Sequence, residues 1–325
     1  MKIIIPIAGE GKRLRPHTHT KPKPLMPIAG KPMIDHIMDK MLMLEPSEIV
    51  FITGHLRLHL EEHLQTKYGA THALRFVEQK ILNGTAGAVF LAHDAFDEDI
   101  LIDFGDTIFD ADLSIIKNSS DDAIIWTMEV EDYQRFGVIV TNNDGYATKM
   151  VEKPITPVSK LANIGLYYVK NTKLLSQGIQ HVLAHQVQGK EAYLTDAFSY
   201  MIEKGAKIKI VSASAWYDCG TGAMVLETNR RLLENIAPHT TPQNGVTIIA
   251  PVVIDPTAVV ENSVIGPYVS VSAGVEIKNS TIKNSIIDEK ATIHYATLSD
   301  SIIGKEAKVT GDAKRVVIGD HSIVE

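Results

Sequence analysis

One cysteine, Cys219, is all the chain carries, so no intrachain disulfide can brace it, which suits a reducing compartment. Long apolar runs are missing too. Nothing approaches the ~20 consecutive apolar residues of a membrane helix, and the N-terminus passes from a short apolar run straight into charged residues without a cleavage site. We therefore expect no membrane partner and a cytoplasmic location. A general excess of positive charge is also absent: 32 Lys and Arg stand against 39 Asp and Glu, a formal net charge of −7. That argues against nucleic acid, whose binders usually present a broad basic face. Compositional extremes are lacking as well. With 45% hydrophobic and 22% charged residues over 325 positions, the chain reads as globular and long enough for a large domain plus a smaller one.

What is present is a local concentration of positive charge. The stretch "IIPIAGEGKRLRPHTHTKPKPLMPIAGKP", Ile4 to Pro32, sets Lys12, Arg13, Arg15, Lys21, Lys23 and Lys31 against a single acid, Glu10. A small anionic ligand fits this better than a polymer does. The dinucleotide fingerprint G-x-G-x-x-G is not met, because Leu14 stands at its third glycine, and no Walker loop is present. Glycines at 9 and 11 let backbone N–H groups approach phosphate oxygens, while Arg13 and Lys23 supply a bidentate and a point-charge partner. Pro22 and Pro24 fix φ on either side of Lys23, lowering the entropy lost when the loop meets its ligand. The loop reads as a polyphosphate cradle.

Around it, "KIIIPI" (Lys2 to Ile7) is a branched apolar run of the kind buried on both faces of a parallel sheet. Helical spacing over 32–45, 55–68 and 85–96 alternates with strand-like runs over 47–53, 73–79 and 99–106. That alternation predicts βαβ crossovers, with ligands beyond the carboxyl ends of the strands. From 123 to 170 the runs are joined by a tight Asn-Asp-Gly turn and read as antiparallel additions. Amphipathic segments follow over 172–187 and 194–205, then a run at 206–213, "WYDCG", and a last helix over 222–235. Turn residues fill "IAPHTTPQNG". Beyond it an approximate six-residue beat of aliphatics, as at Ile265, Val271 and Ile277, is the pattern of a left-handed parallel β-helix. The sustained period disfavours the alternative, a β-sandwich of short strands. The expected fold is thus α/β: a Rossmann-like mixed, mostly parallel sheet flanked by helices, plus a C-terminal left-handed parallel β-helix.

The first loop resembles the signature of the sugar nucleotidyltransferases, G-x-G-x-R-L followed by P-K-P-L. The resemblance recurs in order at "GTAGA" after Gln79, "FGDTIF" at Asp106, "RFGVIV" at Gly137, "VEKP" at Glu152, "NIGLYYV" at Asn163, "LTDAF" at Asp196 and "WYDCGT" at Asp218. The appended repeats narrow it to the long-chain branch of glucose-1-phosphate thymidylyltransferase-like enzymes. It implies a catalytic domain over 1–236, a linker over 237–245 and a hexapeptide β-helix over 246–325. The latter is read as structural and as the basis of a homo-oligomer.

Carried onto this sequence, the resemblance implies a nucleotide site of Ala8, Gly9, Gly11, Arg13, Gln79, Gly84, Thr85 and Asp106. Arg13 and Lys23 act on the phosphates as catalytic residues. Asp106 and Asp218 hold Mg²⁺, and Gly137, Glu152, Lys153 and Asn163 hold the sugar phosphate. The substrates implied are a nucleoside triphosphate, dTTP or UTP favoured, and a hexose 1-phosphate, glucose 1-phosphate favoured. A mannose-1-phosphate guanylyltransferase and a catalytically silent nucleotide-sugar sensor remain the alternatives. Glu10, Lys12 and Thr107 depart from the commoner pattern, and we expect Glu10 to point away from phosphate with Lys12 or Arg15 compensating. Cys219 is expected to be a small buried thiol, and His17 and His19 either loop surface or phosphate contacts.

Overall fold

In the computed structural model of the chain, residues 1–236, 245–311 and 315–324 are described. They form two compact units, Met1–Gly9 with Ile37–Trp216 and Glu10–His36 with Tyr217–Glu325. This grouping by packing cuts across the boundaries drawn from sequence texture. The linker expected over 237–245 falls, Gly245 apart, outside the described residues. No helix among the described residues is long and apolar enough to cross a membrane.

The first unit is built on a nine-stranded sheet. Strands β1 (Lys2–Pro6), β2 (Glu48–Thr53), β3 (Leu74–Glu78) and β4 (Ile100–Asp103) are joined through helices α1 (Met33–Leu42), α2 (Arg57–Tyr68) and α3 (Thr85–Phe90). They lie parallel in the order β4-β1-β2-β3, with Lys2 opposite both Ile100 and Glu48 and Ile49 opposite Leu74. Ile3, Ile4 and Ile5 are fully buried, as a central strand covered on both faces requires. The expected antiparallel additions are β5 (Ala123–Glu129), β6 (Gly137–Thr141), β7 (Ala147–Glu152) and β8 (Leu161–Val169). β8 runs antiparallel to β4 and β5 and touches β6 at Ala162 and Val138, while β9 (Ile208–Ser212) lies parallel to β5. Helices α4 (Thr172–Ala184) and α5 (Leu194–Glu203) cover one face, where Tyr167 stacks on Phe198 at 4.9 Å beside Ile4, Ile102 and Ile125.

One helix is shorter than its spacing predicts. α3 stops at Phe90 and a separate 3₁₀ turn follows at His93–Ala95. The ring of His93 bonds the Phe90 carbonyl at 3.0 Å and Asp94 is drawn to Arg75 at 2.9 Å. Such side-chain bonds compete with continuation of the helix.

The second unit carries α6 (Gly222–Leu233) and the coils. Short strands stack into three parallel sheets, the arrangement expected for a left-handed β-helix. These coils fall short of three hexapeptides: Val252 pairs Val269, Val269 pairs Ser285, and Ile286 pairs Ile302. The missing residues are lost at corners where a left-handed residue precedes a buried serine: Asn262-Ser263, Asn279-Ser280, Asn284-Ser285 and Asp300-Ser301. Asn and Asp tolerate that conformation better than most side chains. Each serine closes the corner, as Ser263 Oγ does by donating to Glu261 O at 2.7 Å and accepting from Ser280 N at 3.0 Å in the next coil.

α6 meets these coils through Asn229, which is fully buried. Its Oδ1 accepts from Ala29 N at 2.8 Å and from Ser270 Oγ at 2.6 Å. Replacing Asn229 by Ala leaves two buried donors without partners and is expected to cost about 2–5 kcal/mol. Denaturant unfolding of the two proteins measures this; a loss within error of zero would mean the network carries no stability.

Candidate active site

In the first unit the carboxyl ends of β1 to β4 bring several of the expected residues to one sheet edge. Ala8 is buried against Gly54, where a side chain at 54 would meet Ala8 Cβ at 2.9 Å. Gly9 is exposed, and a side chain there would meet nothing within 4 Å. Gln79 follows β3 and is mostly buried, its amide nitrogen 3.3 Å from Asn83 Oδ1 and 3.4 Å from Gly84 O. Gly84 adopts a φ of 109° and any side chain on it would collide with the backbone of Ala192. The Thr85 hydroxyl accepts from Leu194 N at 2.9 Å. Gly84 and Thr85 thus tie the start of α3 to the segment leading into α5. Asp106 stands half-buried just past β4.

Three adjacent strands supply a second cluster. Gly137 opens β6, opposite Glu152 at the end of β7. Asn163 lies on β8, ahead of a register shift around Gly165 (φ 83°) that breaks the ladder with β5. Such bulges re-aim side chains, and Asn163 Nδ2 reaches Gly137 O at 2.8 Å while its Oδ1 accepts from Tyr167 OH and from Gly165 N at 3.3 Å. Thr195, at the start of α5, donates to Glu152 Oε2 at 3.1 Å. Gly137 sits at the focus: a methyl on it would press on Asn163, lie 2.7 Å from Thr195 and 2.8 Å from Glu152 Oε2. Burial pushes the Glu152 carboxyl up, against the opposing charge of Lys153 and the bond from Thr195. Lys153 has a φ of 43° and places its ammonium 3.5 Å from Glu152 Oε1, over the Tyr193 ring. Four expected residues converge here, with Thr195 and Tyr167 as members the sequence reading missed. The signal for Thr195 was in "LTDAF", beside the aspartate that drew notice.

Asp103 was also missed. It ends β4, opposite Leu166 on β8, and is wholly buried with both carboxylate oxygens unpartnered. Burial first, and the charge of Asp106 second, raise its carboxyl well above the usual range.

The second unit holds the loop. Gly11 has a φ of 62° and accepts from Leu14 N at 2.8 Å and Thr18 Oγ1 at 2.9 Å. A side chain there would meet Thr18 Cγ2 at 3.0 Å and Lys23 Cβ at 3.2 Å. Lys23 lies buried between Pro22 and Pro24, and Arg13 is exposed. Glu10 pairs with Lys12 at 3.4 Å and Arg15 at 3.3 Å, the compensation expected. Asp218 and Arg13 meet over Gly220, where a methyl would fall 2.8 Å from Asp218 Oδ1 and 3.0 Å from an Arg13 nitrogen. Cys219 is a buried thiol facing Thr228 Oγ1 at 3.7 Å. His17 is not loop surface: it is 3% exposed, and burial lowers the pKa of its imidazole to about 4. His19 is exposed.

The Nucleotidyl transferase family profile matches residues 2–235. The bifunctional protein GlmU of Methanocaldococcus jannaschii is 31% identical, over 94% of this chain and 78% of its own. A glucose-1-phosphate thymidylyltransferase of Streptomyces antibioticus is 29% identical over 100% of this chain and 99% of its own. The UTP–glucose-1-phosphate uridylyltransferase AglF of Haloferax volcanii is 29% identical over 74% of this chain and 100% of its own.

The buried carboxyl of Asp103 sets a pH dependence. Its folded form holds a proton more tightly than the unfolded chain, so its contribution to stability is full below about pH 4 and is lost as pH rises toward the raised value. Asp103→Leu removes that loss. The variant is expected to gain melting temperature over the parent by an amount that grows from pH 4 to pH 8; a constant difference across that range would contradict the assignment.

Proposed function

The chain belongs to the nucleotidyl transferase family, and from that premise we propose that it joins a nucleoside triphosphate to a hexose 1-phosphate, releasing pyrophosphate. The observation that carries the reading is the meeting of Arg13 and Asp218 over Gly220. A guanidinium suited to phosphate and a carboxylate suited to a hard cation come together beside Gly220, so closely that a side chain there would crowd both. The favoured substrates are dTTP or UTP with glucose 1-phosphate. Support comes from the activities for which the Streptomyces and Haloferax relatives are named and from Gln79, whose amide can both donate to and accept from a pyrimidine imide edge.

In this mechanism a phosphate oxygen of the sugar 1-phosphate attacks the α-phosphorus. The bond to the oxygen bridging toward the β-phosphate breaks, and pyrophosphate leaves with that electron pair. The nucleophile is already ionised at neutral pH, so no general base is needed. Gly9 and Gly11 lend backbone N–H groups to the triphosphate, and Arg13 and Lys23 stabilise charge that grows on the departing oxygens. Glu152 and Asn163, with Gly137, receive the sugar hydroxyls, and Lys153 receives its phosphate. Asp106 and Asp218, each a half-buried carboxylate, are the residues that would hold Mg²⁺, whose preference is for hard oxygen donors alongside water and substrate oxygens. Bound there, the ion would screen the repulsion between the two anions.

Pyrophosphate release with Mg²⁺ across dTTP, UTP, GTP, ATP and CTP and a panel of sugar 1-phosphates tests the reading. Turnover is expected to peak at dTTP or UTP with glucose 1-phosphate. A peak at GTP with mannose 1-phosphate would keep the reaction and overturn the substrates, and silence throughout would overturn the enzyme. Asp218→Asn is expected to lower kcat on the order of 10²-fold; unchanged turnover at saturating Mg²⁺ would remove Asp218 from the metal site.

A further inference from the structure

The loop and the coils of the second unit are joined by contacts between residues nearly the whole chain apart. Lys21 forms an ion pair with Asp288, the two side chains 15% and 7% exposed. Thr20 Oγ1 donates to Asp320 Oδ2 at 2.7 Å. Both carboxylates are fully employed. Asp288 Oδ1 accepts from Glu289 N at 2.8 Å and Asp320 Oδ1 from Lys305 N at 2.9 Å.

These residues share one corner of the β-helix. Asp288, Gly304 and Gly319 each follow a paired strand, Ile287 lying beside Ile303 and Ile303 beside Ile318. The corner is therefore built from one acid and two glycines on successive coils. The absent side chain of Gly319 is where Pro16 rests, since a methyl there would lie 3.1 Å from Pro16 Cβ. His17, buried beneath the same segment, feels the charges of Asp320 and Lys21. From this strip the contact passes inward: Thr18 bonds Gly11 O, and Thr18 and Lys23 together fill the space beside Gly11.

We propose that Asp288 and Asp320 are positioning residues for phosphate binding, the β-helix corner clamping Pro16–Lys21 and through Thr18 setting the backbone at Gly11 and the stem of Lys23. The β-helix then serves the reaction from a distance, as part of the scaffold of the triphosphate loop. This rests on the loop's reading as a polyphosphate cradle.

The test uses the full-length protein and Asp288→Asn, with Thr20→Val as a second variant at an exposed position that cannot unfold the coils. Hydrogen exchange is followed in peptides covering 11–25 and 285–303, together with KM and kcat for the nucleoside triphosphate. A clamp predicts exchange at least tenfold faster in 11–25 with protection kept in 285–303, and a KM raised about tenfold with kcat changed much less. Thr20→Val should move both in the same direction by a smaller factor, and Lys21→Met combined with Asp288→Leu, which leaves no unpaired charge, should restore part of the protection. Unchanged exchange in 11–25 for both variants overturns the clamp. Loop exchange that quickens without any change in KM overturns its role in phosphate binding. Absence of turnover in the parent protein would instead strike the cradle reading, and the exchange data would still decide the clamp.

Discussion

Three isolated 3₁₀ turns, Lys12–Leu14, His17–His19 and Lys23–Leu25, cannot hold the basic loop in one shape by themselves, and that constraint governs much of this molecule. Their few backbone bonds, such as Leu14 N to Gly11 O at 2.8 Å, fix single turns only. The rest of the shape comes from other sources. Left-handed geometry at Gly11 turns the chain, Pro22 and Pro24 stiffen the run around Lys23, and the Thr18 hydroxyl ties back to Gly11. The remaining rigidity is borrowed from the coils at Gly319, Asp288 and Asp320.

The cluster around Gly137 is held instead by a sheet. Strands β6, β7 and β8 are adjacent, so Gly137, Glu152 and Asn163 come together by register alone. The bulge at Gly165 adds what register cannot, turning Asn163 toward the Gly137 carbonyl. Thr195 and Tyr167 then complete the polar partners of Glu152 and Asn163. A side chain at 137 would intrude on Asn163, Thr195 and Glu152, so the glycine is demanded by its surroundings.

Much of this was legible in the sequence, and the reasons are local. "KIIIPI" could only be a doubly covered strand, the Asn-Asp-Gly turn announced the β6–β7 hairpin, and the aliphatic beat announced the coils. What escaped depends on distance or on competition. The beat slips because Asn-Ser corners shorten each coil, a signal present in the letters but without meaning until the left-handed backbone is seen. α3 ends early because His93 and Asp94 find other partners. His17 looked like loop surface because nothing local reveals that a segment 300 positions onward covers it, as the bond from Thr20 to Asp320 does. Asp103 reads as one more acid in an acidic run, and only the sheet shows it sealed among aliphatics.

Half of the positive charge gathered in the loop is, in the folded chain, answered from within. Of six cations between Ile4 and Pro32, Lys12 and Arg15 are matched by Glu10 and Lys21 by Asp288. An arriving polyanion therefore meets a narrow field centred on few groups rather than a diffuse basic surface. Its capture should weaken with ionic strength less steeply than six unscreened charges would imply, because the matched pairs have already surrendered their long-range reach. A loop so neutralised presents no broad basic face to an extended polyanion.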